Sequence, residues 1–167
     1  PGEDEASCSF FDSSIAAGVN RAVDSGARVI NISLGGAGGA NSTLRSAINR
    51  ATSAGIVVIV SAGNEGNDAA PAFDPANPSP FAQALVANGN GLVIIAASVD
   101  DQGVISDFSN KAGLSQSTTL SALGEGICCE YRNDTIYRFE QNGQTFVRVF
   151  NGTSFAAPQI AGAAALL

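Results

Sequence analysis

The chain has 167 residues, 45% of them hydrophobic, enough to bury one core, and its size argues for one domain or part of one. Fifteen acidic residues against eight basic ones give a net charge of −7, which disfavours nucleic acid and anionic membrane surfaces as partners. The sequence contains no histidine, so any chemistry that needs an imidazole base cannot be completed by these residues.

Residues 1–9 are acidic and polar with no apolar h-region, and no stretch of the chain reads as a transmembrane span; a leader would have to lie upstream. Asp12 is placed to cap a helix in which Ile15, Val19, Ala22 and Val23 recur at helical spacing, with Gly26 as its stop. A β-branched strand follows over Val29 to Leu34. Asn41 or Ser42 then caps a second helix, carrying Leu44, Ala47, Ile48 and Ala51 and ending near Gly55. Ile56 to Val60 and Leu92 to Val99 are continuous apolar runs of the kind found in parallel strands covered on both faces. Helix alternating with strand predicts an α/β fold in three layers, a mostly parallel sheet flanked by helices with right-handed crossovers.

Pro71, Pro75, Pro78 and Pro80 predict a shaped surface loop without regular structure between the second and third strands. From Tyr131 to Phe150 polar and apolar residues alternate around Asn142-Gly143, the strongest short hairpin signal, so an extra β-hairpin is expected within 131–150. Small and apolar residues from Ala156 to Leu167 predict a helix with no Gly, Asn or Pro behind it, and the fold is expected to be incomplete at both ends. Cys8, Cys128 and Cys129 lack the paired spacing of a zinc site; they read as core or free thiols, with a bridge from Cys8 to Cys128 or Cys129 open in an oxidising compartment.

Asn151-Gly152-Thr153-Ser154-Phe155-Ala156-Ala157-Pro158 sets a serine where a glycine turn enters a helix. Gly152 tolerates backbone angles closed to other residues, and the N–H groups of a first helical turn point toward negative charge developing beside Ser154. Two further segments precede it: Arg28-Val29-Ile30-Asn31-Ile32-Ser33-Leu34-Gly35-Gly36 and Ile59-Val60-Ser61-Ala62-Gly63-Asn64-Glu65-Gly66. Together, in this order, the three segments resemble the substrate-lining strand, the oxyanion-hole loop and the nucleophile motif of the subtilisin-like serine proteases. The resemblance runs from about Asp12 to Leu167 and implies that residues 1–167 are the C-terminal portion of a single subtilisin-like peptidase domain.

The resemblance also implies roles. Ser154 is the nucleophile, with Asn64 the side-chain donor to the oxyanion. Ser33, Leu34 and Gly35 with Ala62 and Gly63 are the walls of a cleft for a protein or peptide substrate, and Glu65 is an acidic residue near the primary pocket. Taken without the resemblance, Asn64 reads as a turn residue, Glu65 as a solvated charge and the glycines after Leu34 as a connector. The Asp and His of the triad lie upstream of anything present, so the intact parent is expected to be a serine endopeptidase acting through Ser, His and Asp, and the chain by itself inactive. No cofactor is implied, and the calcium sites of the family do not carry over; Ala122-Leu123-Gly124 and Gln159 depart from its usual residues. An extracellular or cell-surface location is implied, together with self-association of a domain whose sheet edge is bare. Three alternatives stand beside this reading. Gly152-x-Ser154-x-Ala156 nearly fits an α/β-hydrolase esterase elbow, and Gly36-Ala37-Gly38-Gly39 after a strand invites a nucleotide. A pseudoprotease or peptide-binding remnant would need no base at all.

Overall fold

The computed structural model describes residues 9–67 and 73–167. Helix α1 (Asp12–Asp24) leads into strand β1 (Val29–Ile32), helix α2 (Ser42–Ser53), strand β2 (Val57–Ser61), helix α3 (Pro80–Ala87) and strand β3 (Val93–Val99). After a 3-10 turn at Gly113–Thr118 comes strand β4 (Thr119–Leu123). Six short strands follow: β5 (Ile127–Cys128), β6 (Tyr131–Arg132), β7 (Thr135–Ile136), β8 (Arg138–Gln141), β9 (Gln144–Val147) and β10 (Val149–Phe150). Helix α4 (Thr153–Ala165) is the last element.

Strands β1 to β4 form one parallel sheet in that spatial order, with Ile30 beside Val58, Val60 beside Ile95 and Ala97 beside Ser121. Side chains of a strand point alternately to its two faces, so consecutive residues of an apolar run serve different layers. Val58, Val60, Val93 and Ile95 pack with Leu44, Ile48 and Leu85 under the layer of α1, α2 and α3. Ile59 and Ala96 face the other way, against Ala156, Ala157 and Ile160 of α4. This is the three-layer architecture the alternation predicts. Leu44, Ile48, Ile59, Leu85 and Ile95 are fully buried, and each contributes about 1.5–3 kcal/mol by leaving water.

The local signals explain most boundaries. Asn41 caps α2, its Oδ1 accepting from Leu44 N at 3.0 Å, and Leu44, Ala47, Ile48 and Ala51 form the buried stripe of that helix at spacings of three and four. Asp12 is not the cap of α1. Phe11 holds that position with extended backbone, and the Asp12 carboxylate instead accepts from Asn41 N at 2.7 Å, tying the start of α1 to the cap of α2. Residues 73–79 form no helix or strand, as the prolines predict, while Pro71 lies outside the described residues and Pro80 belongs to the next element. Pro80 opens α3, where a missing N–H costs nothing, and Ser79 caps it by accepting from Ala82 N at 3.3 Å. Strand β4 has no counterpart in the sequence reading because it is a short edge strand, half polar and little buried.

The hairpin signal at Asn142-Gly143 holds. Strands β8 and β9 pair antiparallel with Phe139 opposite Phe146, and both turn residues have positive φ, 51° and 73°, as a two-residue type I′ turn requires. Strand β10 pairs with β5, setting Phe150 opposite Ile127. The sulfurs of Cys128 and Cys129 lie against each other, and Cys8 lies outside the described residues.

Candidate functional site

In a parallel sheet, binding crevices form beyond the carboxyl ends of the strands. Here β1 runs out into Ser33, Leu34 and Gly35, and β2 runs out into Ala62, Gly63 and Asn64. Helix α4 lies across the sheet and brings the N-terminal residues Thr153 and Ser154 to the same end. Three segments far apart in sequence thus meet, and hydrogen bonds lock them together.

Asn64 is joined to the helix start by its side-chain oxygen. Oδ1 accepts from Thr153 N at 2.8 Å and from Thr153 Oγ1 at 2.9 Å. An atom that receives two donors must be the amide oxygen, so Nδ2 is the end left to donate elsewhere. That nitrogen lies on the side of Gly152, where an added Cβ would stand 3.7 Å from it and 3.6 Å from the Phe155 ring. Thr153 is wholly buried, and its hydroxyl also accepts from Gly63 N at 3.3 Å. The sequence reading did not single out Thr153, although its place between glycine and serine was the available signal.

Gly152 has φ 159° and ψ 148°, a region populated essentially by glycine. Its N–H donates to Gly124 O at 2.8 Å and its carbonyl accepts from Phe155 N at 3.0 Å, so the turn before the serine is fixed on both sides. Ser154 is the second residue of α4, and its N–H belongs to the first helical turn, for which the helix supplies no acceptor. Its hydroxyl donates to Ser33 O at 3.4 Å, a long bond to a carbonyl that cannot take up the proton. In return Ser33 Oγ donates to Ser154 O at 3.0 Å, and itself accepts from Asn31 Nδ2 at 2.9 Å.

The two walls differ in what they offer. Every backbone group of Ala62 and Gly63 is already engaged. Ala62 N donates to Ala96 O, Ala62 O accepts from Ser79 N, and Gly63 O accepts from Asn110 N at 3.1 Å. This side therefore has only its shape and the second lone pairs of its carbonyls left to offer. Leu34 O accepts from Ser61 Oγ at 2.9 Å, while Ser33 and Leu34 are half-buried and Gly35 is exposed. Gly63 has φ 114°, and an added Cβ would stand 2.5 Å from Glu65 Oε2 and 3.1 Å from the Asn110 amide. Glu65 therefore folds back over Gly63, half-buried, and its own N–H donates to Asn110 Oδ1 at 2.8 Å. Asn110, also wholly buried, braces this loop through both its backbone and its side chain. Nothing in the sequence marks it, because the contact spans more than forty residues.

The structure thus brings Ser33, Leu34, Ala62, Gly63, Asn64 and Ser154 to one end of the sheet, on a parallel α/β frame, with a serine at a helix N-terminus beside a side-chain amide. Such an arrangement can stabilise negative charge that develops beside the serine. The model of the subtilase family, Peptidase_S8, matches residues 4–167, and the chain belongs to that family. It is 34% identical over 153 residues to thermitase of Thermoactinomyces vulgaris, covering 92% of this chain and 44% of that protein. It is 35% identical over 141 residues to an extracellular protease of Xanthomonas campestris pv. campestris, covering 84% of this chain and 21% of that one. Among solved structures, a protease from Pseudoalteromonas arctica superposes with a TM-score of 0.64 at 32% identity, over 95% of this chain and 47% of the other. The self-cleaved protease domain of PatA superposes with a TM-score of 0.66 at 29% identity, over 94% and 51%. The chain spans less than half the length of these two curated relatives.

Proposed function

We propose that the intact protein containing this chain is a serine endopeptidase and that residues 1–167 are the C-terminal portion of its peptidase domain. Ser154 attacks the scissile carbonyl, and the Asn64 side chain with the Ser154 N–H holds the oxyanion that forms. The observation that carries this reading is the double acceptance of Thr153 donors by Asn64 Oδ1, which leaves Nδ2 as a fixed donor beside the nucleophile. A donor fixed before reaction stabilises charge that appears only near the transition state, and needs no reorganisation to do so.

Ser33, Leu34 and Gly35 line one side of the substrate cleft, and Ala62, Gly63 and Glu65 the other, for an extended segment of protein or peptide. The proton acceptor and its carboxylate partner are a His and an Asp supplied by the rest of the parent. Relatives that include a protein named extracellular support an extracellular or cell-surface site of action. Because the chain has no histidine, residues 1–167 by themselves do not turn over substrate. In subtilisin, loss of the base costs nearly as much as loss of the whole triad, and only about 10³–10⁴ over water remains from the oxyanion hole and binding.

The test uses a fluorogenic oligopeptide and a fluorophosphonate probe on two samples, the intact protein and residues 1–167. The intact protein should cleave the peptide and be labelled at Ser154, and the shorter chain should do neither. An intact protein that binds the peptide without cleavage or labelling would establish the non-catalytic, peptide-binding alternative. Stoichiometric labelling of residues 1–167 would overturn the requirement for an external base.

A further inference from the structure

Pro158 is the sixth residue of α4 and lies inside the helix. Proline has no N–H, so the carbonyl four residues before it loses its helical donor. That carbonyl belongs to Ser154. The donor it receives instead comes from another segment, Ser33 Oγ at 3.0 Å, across 121 residues of sequence. We propose that Ser33 is a positioning residue for the nucleophile: its hydroxyl takes the place of the hydrogen bond that Pro158 removes, and so fixes the first turn of α4 against the end of β1.

Several features converge on this assignment. Ser154 O is part-buried, and a carbonyl removed from water without a donor is costly. Ser33 Oγ is itself oriented, because Asn31 Nδ2 donates to it at 2.9 Å and leaves its single proton for Ser154 O. The backbone carbonyl of Ser33 holds the Ser154 hydroxyl at 3.4 Å, so one residue restrains the serine at both its carbonyl and its side chain. The substitution of donors also has a geometric consequence. A carbonyl bonded within the helix is tied to its own axis, whereas one bonded to Ser33 is tied to the opposite wall. The distance between nucleophile and wall is thereby set by a hydrogen bond as well as by packing, and reaction geometry is sensitive to displacements of about 1 Å.

This inference rests on the proposed role of Ser154 for its kinetic part only. In the intact protein, Ser33→Ala should lower kcat about tenfold with KM little changed, a loss of about 1.4 kcal/mol, and Ser33→Thr, which keeps a hydroxyl, should restore most of it. In a Pro158→Ala background, residue 158 regains an N–H for Ser154 O, and the further effect of Ser33→Ala should shrink to about threefold or less by the same relation. The structural part is read without activity, from the ¹³C chemical shift of the Ser154 carbonyl. That shift should move in Ser33→Ala and return toward the original value in the double variant. A rise in KM with kcat unchanged would overturn the proposal, because it would make the Ser33 side chain a substrate contact. An equal effect of Ser33→Ala in both backgrounds, or a carbonyl shift indifferent to Ser33, would overturn it as well. If the intact protein proves not to cleave peptides, the endopeptidase reading fails while the carbonyl shift still decides the role of Ser33.

Discussion

The end of the sheet around Ser154 and the region from Ile127 to Phe150 lie next to each other in sequence and are built on opposite principles. At the sheet end, Ser33, Gly63, Asn64, Thr153 and Ser154 are joined by hydrogen bonds that cross 89 to 121 residues. In the neighbouring region two of the three strand pairs are local, β6 with β7 and β8 with β9, each across a short turn, and β5 with β10 closes the region. Its rings stack with one another, Phe139 with Phe146 at 5.8 Å and with Tyr137 at 6.4 Å, and Glu130 serves both Arg132 and Arg148. The first region exists only when the whole fold is assembled. The second is a local attachment, joined to the site through Phe150, whose ring stacks on Phe155 at 6.0 Å.

This contrast orders the expected effects of substitution. The largest belongs to Asn64→Ala in the intact protein, which should lower kcat by about 10²–10³, the range known for removing one such donor in subtilisin. Stability should fall by only about 1–2 kcal/mol, for the Thr153 donors left without an acceptor. A KM-only effect in steady-state kinetics would contradict the oxyanion role and reduce Asn64 to a turn residue.

Next in size is Gly63→Ala. At φ 114°, with Glu65 and Asn110 where the methyl would go, the variant should lose about 1–3 kcal/mol in urea unfolding for the backbone strain, with further loss from the clash. Thr153→Val should follow. It keeps the shape of a buried side chain but removes the acceptor of Gly63 N and one donor to Asn64, at a cost of about 1–3 kcal/mol. It should also lower kcat, because the amide it orients is no longer fixed. Thr153→Ser should be close to neutral in both measurements, and a Ser variant as damaged as the Val variant would show that packing, not the hydroxyl, sets the loop.

Legibility in the sequence divides along the same line. Elements defined by their own residues were readable: the stripe of α2, the continuous runs of β2 and β3, and the Asn142-Gly143 turn each carry their signal locally. So did the turn at Gly152 that opens α4, because a glycine before a run of small helix-forming residues has a composition of its own. Features defined by a distant partner were not. Asn110 braces the Gly63 loop from 47 residues away in sequence, Asp12 binds the cap of a different helix, and β4 is a strand because it lies beside β3 rather than because of its own residues. Pro80 misled for a related reason, since a proline forbids the interior of a helix but favours its first position. Pro158 was visible as part of the motif, yet its consequence for Ser154 O appears only when Ser33 is seen opposite.

The smallest expected effect is the sharpest test of the contrast itself. Replacing residues 138–147 of the intact protein by a two-residue Asn-Gly turn would remove β8, β9 and their stacked aromatic face. Arg132 and Arg148 with Glu130 would remain, as would the pairing of β5 with β10 that leads into Gly152. Surface changes away from buried features are usually within about 0.5 kcal/mol, and the deleted strands hold mainly one another. Urea unfolding should therefore move by no more than about 1 kcal/mol, somewhat above that figure because Phe139 is half-buried, and kcat for a short peptide should stay within about threefold. A collapse of kcat with stability preserved would mean that the hairpin governs the nucleophile turn through Phe150 and Phe155. The two regions would then be one mechanical unit, and the local pairing of β8 with β9 would be part of how Ser154 is held.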